Sequence, residues 1–146
     1  GSGAFYEVDK PVANFYGKHH FVFTDINNKK FDNDFSFDAF RLVNVPASAS
    51  KKQPLAIHIE GVPLSNSDHI DLVAINTDSS FTVTHGVRDI SPDIVVPAKE
   101  LKRKKSNELK FEVTLFRKLD LQQNTAEGGD ITIRYALKPI TVKLVD

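Results

Sequence analysis

The densest run of oxygen-bearing side chains in the chain is Asp25-Ile-Asn-Asn-Lys-Lys-Phe-Asp-Asn-Asp34. Calcium takes roughly six to eight hard oxygens on a curved loop. Asp25, Asn27, Asn28, Asp32, Asn33 and Asp34 offer such oxygens. EF-hand spacing is missing, with no turn glycine and no distal glutamate. Asp25, Asn27, Asp32 and Asp34 are the candidate calcium ligands. The plainer reading is a polar hairpin loop, because Asn and Asp accept turn conformations.

Five histidines are present: His19, His20, His58, His69 and His85. A transition-metal centre needs several of them to converge with carboxylates. His19 and His20 are neighbours on an extended segment, so they face opposite ways. His58 falls on the outward side of its strand. Surface or hydrogen-bonded histidine is therefore the reading for this set. Ser79, Ser80, His85 and Asp89 have the residue types of a hydrolytic triad, but no Gly-x-Ser-x-Gly elbow frames them. No catalytic residue is assigned, and no enzyme activity is expected. Gly128-Gly129 reads as a hairpin turn rather than a phosphate loop. The basic run Lys99 to Lys105 reads as a solvated loop between strands.

Aromatic residues offer a different chemistry. Phe5, Tyr6, Phe15 and Tyr16 crowd the start of the chain. Tyrosine joins an apolar ring to a polar tip, which suits half-exposed stacking positions. Tyr6 and Tyr16, with Asn14 and His19 supplying hydrogen bonds, are the candidate ligand-binding residues. If buried instead, these rings close one end of the fold, the commoner fate of phenylalanine.

Composition narrows the function classes. Nineteen Lys and Arg balance nineteen Asp and Glu, so the net charge is zero. That removes the electrostatic footprint of a nucleic-acid binder. The chain has no cysteine, hence no disulfide, thiolate zinc site or iron–sulfur cluster. No apolar stretch approaches the ~20 residues of a membrane-spanning helix. No cofactor is expected. Gly1-Ser2-Gly3 reads as a cloning remnant, and residues 4–146 as one domain.

The elements that must carry these side chains read as strands. In Leu109-Lys-Phe-Glu-Val-Thr-Leu115, apolar residues alternate with polar ones, as on a strand with one buried face. Ile131, Ile133, Tyr135 and Leu137 repeat the pattern, as do Leu55, Ile57 and Ile59. Phe21 and Phe23 share a face. Phe35 and Phe37 are in phase, but the phase restarts at Phe40 and Leu42. The slip near Ala39 predicts a bulge or a corner between two strands. Ile70 to Thr77 is nearly continuous apolar and predicts a strand covered on both sides. Phe81 to Thr84, Ile94 to Pro97 and Ile140 to Val145 follow, with Ala4 to Val8 as an edge strand. Turn signals separate these segments, the pattern of an antiparallel β-sandwich of seven to nine strands.

The order of features resembles the Calx-beta type of immunoglobulin-like sandwich. The residues are Ile70 to Ile75, Asp78-Ser79-Ser80, Thr84-His-Gly-Val-Arg-Asp-Ile90, Asp93-Ile-Val-Val-Pro-Ala98 and the long segment Leu109 to Leu121. Val113-Thr-Leu-Phe-Arg117 with Leu119-Asp120-Leu121 is more similar still to a family of Bacteroidota cell-envelope lipoproteins of unknown function, often encoded near SusC/SusD-type uptake genes. His85, Ile90 and Lys99 depart from the family pattern. The resemblance implies an immunoglobulin-like fold and an extracytoplasmic place at the cell envelope. It implies a non-enzymatic interaction module that binds a glycan or a neighbouring uptake protein. The alternative is a structural spacer or adhesin-type sandwich, with calcium as a brace.

Overall fold

A computed structural model describes residues 17–38, 40–61, 67–75, 80–86, 88–89, 91–123 and 129–146. Among the described residues the strands are β1 (Gly17–Thr24), β2 (Lys30–Phe37), β3 (Arg41–Val43), β4 (Ser48–Ser50), β5 (Leu55–Glu60), β6 (His69–Ala74), β7 (Thr82–Gly86), β8 (Asp93–Val96), β9 (Glu108–Asp120), β10 (Asp130–Ala136) and β11 (Ile140–Val145). One short helix is found among these residues, α1 (Ala98–Lys102), between β8 and β9. Strands take 61% of the described residues against 4% for helix, so the fold is all-β, as the alternations predict. The expectation was seven to nine strands. The eleven segments seen here include the very short β3 and β4.

The strands form three sheets. β1 and β2 pair alone as an antiparallel hairpin, from Gly17 opposite Phe37 to Thr24 opposite Lys30. β3, β5 and β8 form a three-stranded antiparallel sheet. The largest sheet runs β4-β11-β9-β6-β7, with β10 also paired to β9. β9 is long enough for two partners along one edge: β11 takes its start and β10 its end. The β4–β11 pairing is parallel, and the rest of this sheet is antiparallel. One of the sheets curls into a half-barrel.

Period-two alternation decides what each strand buries. Leu109, Phe111, Val113 and Leu115 of β9 are all buried, and Leu55, Ile57 and Ile59 of β5 face them from the three-stranded sheet within one core cluster. Ile94, Val96, Ile133, Tyr135, Val142 and Leu144 join that cluster. The result is sandwich-like. The phase slip near Ala39 proves to be a corner: β2 and β3, on either side of it, belong to different sheets. Ala39 itself lies outside the described residues, as does the expected edge strand Ala4 to Val8.

Two expectations are corrected. β6 is central within its sheet but is not covered on both faces. Ile70, Leu72 and Ala74 are buried, whereas Val73 is half-buried and Ile75 is exposed. Its pairing on both edges, to β9 and β7, explains the apolar run without a second covering layer. The basic run after Pro97 is not simply a solvated loop. It includes α1, whose Leu101 is fully buried. Lys104 is also buried, with its Nζ 5.5 Å from the Phe81 ring centroid. The lysine stem covers apolar surface while its charge meets the ring face.

Candidate functional site

Asp25 to Asp34 is only half a loop. The turn closes between Asp25 and Lys29, where the Asp25 N–H donates to the Lys29 carbonyl at 3.0 Å. Asn28 takes a left-handed backbone, φ 66°, as its residue type allows. Asp25 Oδ1 accepts the N–H groups of Asn27 at 2.9 Å and Lys29 at 2.8 Å. Asp32, Asn33 and Asp34 belong to β2 instead, so the reading of the whole run as a loop does not hold. Strand alternation sends Asn33 inward and leaves Asp32 and Asp34 outside.

On that outer side His20 stands across the hairpin from Asp34. Its Nδ1 lies 2.5 Å from Asp34 Oδ1, and its Nε2 lies 3.2 Å from Asp32 Oδ1. The Asp34 hydrogen bond is the chief cause that holds the His20 pKa above its ordinary 6.5, against an opposing desolvation effect; the Asp32 charge adds to the rise. Each ring nitrogen meets its own carboxylate, so the three groups bracket a proton-bearing ring rather than one central point. Among the described residues no group of three or more His, Asp or Glu is placed to hold a metal ion.

Asn33 is fully buried and serves as a latch. Its Oδ1 accepts the N–H groups of Gln122 at 2.7 Å and Gln123 at 3.1 Å, and its Nδ2 donates to the Gln123 carbonyl at 3.0 Å. The two glutamine side chains return the favour, accepting the N–H groups of Asp34 at 3.0 Å and Asp32 at 2.8 Å. They stand where a third strand's carbonyls would pair with β2.

Of the aromatic candidates, Tyr6, Asn14 and Tyr16 lie outside the described residues. His19 is half-buried and stacks on Phe35, ring centroids 4.9 Å apart. Of the hydrolytic set, Ser79 lies outside the described residues, and Ser80 is exposed. His85 turns inward and is buried, with Nδ1 3.6 Å from Asp89 Oδ2. That is too long for a hydrogen bond. Asp89 instead accepts the Gly86 N–H at 2.6 Å. His58 is half-buried and bonds Asp93 at 2.7 Å across the β5–β8 pair.

The feature with the most to offer a ligand lies on the outer face of the largest sheet. His69 of β6 stands opposite Phe116 of β9, which stands opposite Arg134 of β10. The His69 and Phe116 rings stack with centroids 4.8 Å apart and planes 12° from parallel. The Arg134 guanidinium lies 5.9 Å from the Phe116 centroid. One row of planar groups therefore crosses three strands. The neighbouring row is polar: Thr84 Oγ1 donates to Asp71 Oδ1 at 2.7 Å, and Asp71 Oδ2 lies 3.8 Å from His69 Nε2.

No protein-family model matches the chain, and no curated protein and no solved structure matches it significantly. The site must therefore be weighed on its own geometry. Flat rings with flanking hydrogen-bonding groups suit a ring-shaped, hydroxylated ligand. The sequence reading passed over this row, yet one signal was there. Phe116 breaks the clearest alternation in the chain, an aromatic on the polar side between inward Leu115 and inward Arg117. Arg117 carries a second signal, a cation in the buried register. It meets Asp68, whose side chain is fully buried, in a forked pair: Nη2 to Oδ2 at 2.9 Å and Nε to Oδ1 at 3.1 Å.

Proposed function

We propose that this chain is a non-enzymatic, extracytoplasmic interaction module with an immunoglobulin-like fold, part of a bacterial surface lipoprotein, and that it binds a glycan. A neighbouring nutrient-uptake protein is the other partner that the family resemblance implies. The observation that carries the reading is the His69–Phe116–Arg134 row on the outer sheet face. Core formation does not require those planar groups there, since β9 buries its other face. Polar side chains at Asp71 and Thr84 border the row, as sugar recognition needs. No helix among the described residues is long and apolar enough to cross a membrane.

A glycan array probed with the wild-type chain and with Phe116→Ala tests this. Binding to one or a few glycans, lost in Phe116→Ala while the melting temperature changes little, is the expected result. No retained glycan, or equal retention by both proteins, would overturn it.

The second reading, a structural spacer or adhesin-type sandwich, has its own support. The Asn33 latch ties β2 to the segment after β9, and the Arg117–Asp68 pair ties β9 to the residue before β6, both by satisfied polar contacts. Among the described residues no buried side-chain nitrogen or oxygen lacks a partner. Such stiffness is what a spacer uses.

A further inference from the structure

The stacked row stops one strand short of the sheet's edge. β7 is the last strand beyond β6, and Gly86 of β7 stands directly opposite His69. Paired residues in an antiparallel ladder point to the same face. Where the row would continue, the chain places hydrogen instead of a side chain. A Cβ built on Gly86 would meet no atom within 4 Å. One face of His69 is covered by Phe116. Its opposite face looks over this notch, and 44% of its side chain is exposed.

We propose that the notch over Gly86 is the primary subsite of the glycan face, and that it takes one neutral pyranose ring stacked on His69. This rests on the glycan reading above and deepens it. Neighbouring strands lie ~4.8 Å apart, so a ring standing over β7 continues the row at its existing spacing. The rim of the notch decides the class of sugar. Asp71 and Thr84 border it on one side, and Asp89 lies beside the Gly86 N–H. Two of these three are carboxylates, which accept hydrogen bonds and repel anions. They match the hydroxyl donors of a neutral sugar and disfavour a uronate or a sulfated ring.

Isothermal titration calorimetry with maltohexaose, cellohexaose, mannohexaose, xylohexaose and a galacturonate oligomer tests the subsite, comparing wild type, Gly86→Ile and Phe116→Ala. Gly86 is in a strand and a Cβ there meets open space, so isoleucine is chosen to fill the notch. An unchanged melting temperature checks that the fold accepts it. The expected result is binding of at least one neutral oligomer, weakened about tenfold or more in Gly86→Ile. Binding of equal strength in wild type and Gly86→Ile, with loss in Phe116→Ala, would overturn the notch and leave the glycan face standing. Binding of the galacturonate oligomer alone would overturn the neutral class. Binding of no oligomer by the wild type would remove both the notch and the glycan reading.

Discussion

The β1–β2 hairpin and the sheet around β9 have the same alternating pattern and solve different problems with it. On β9 the inward residues Leu109, Phe111, Val113 and Leu115 are each 1% exposed or less. On β1 the corresponding Phe21 and Phe23 remain half-buried, Val22 is 46% exposed, and Ile26 in the turn is 99% exposed. The base of the hairpin, at Phe35 and Phe37, packs with the main core. Nearer the tip, Phe31 stacks on Phe23 with centroids 4.8 Å apart, and neither ring joins the described core cluster. A two-stranded ribbon has too little apolar face to hold itself in water. Here polar contacts are added to it: the buried Asn33 latch on one side and the exposed His20 bridge on the other. Alternation thus tells which way a side chain points, and the number of neighbouring strands tells how much that direction is worth.

The sharpest way to break this contrast is in the core. Phe111→Ala removes a fully buried ring and should cost about 3–5 kcal/mol in urea melts. Phe23→Ala should cost clearly less, and equal losses would erase the distinction between the two regions. Next comes the latch. Asn33→Ala removes the buried amide and its three hydrogen bonds to the Gln122 and Gln123 backbone, which should cost about 1–3 kcal/mol. Hydrogen exchange should show the loss concentrated in residues 17–37, with β9 amides little affected. Uniform loss across both regions would show that the hairpin is no separate unit.

A smaller effect follows from His20. Its folded pKa lies above 6.5, so the bridge contributes fully below about pH 6.5 and fades as pH rises through the raised value. Hairpin amides should exchange faster at pH 8 than pH-corrected rates from pH 6 predict, and Asp34→Asn should remove the difference. An NMR titration placing His20 at or below 6.5 would contradict the bridge. Lys110→Ala, on the exposed side of β9 beside Phe111, should stay within about ±0.5 kcal/mol. The least effect is expected from EDTA. Asp25, Asp32 and Asp34 already have internal partners, so chelation should leave the melting temperature unchanged.

Much of the fold was legible because strand alternation is local. The inward sets of β5, β9 and β10 read directly, and the phase slip between Phe37 and Phe40 marked the corner between sheets. The site was less legible. Asp25 to Asp34 looked like one chemical unit because its residues are contiguous, but a strand boundary at Lys30 divides it. Asn33 looked like one more oxygen of that run until its inward register placed it against Gln122 and Gln123, about ninety residues away. Phe116 stood out of phase, but its row partners are on other strands.

The sequence by itself determined the β class, the facing of each long strand and the neutral balance of charge. These follow from residue type and a two-residue period, which need no knowledge of partners. Only the tertiary structure decided which strands are neighbours, and with that every cross-strand contact: His20 with Asp34, Arg117 with Asp68, and the row from Arg134 through Phe116 and His69 to Gly86. Register is set by long-range pairing between segments that each would accept several partners. A one-residue slip would turn the row's side chains into the core. The functional face is therefore a product of pairing, built from residues that carry no shared mark in the chain.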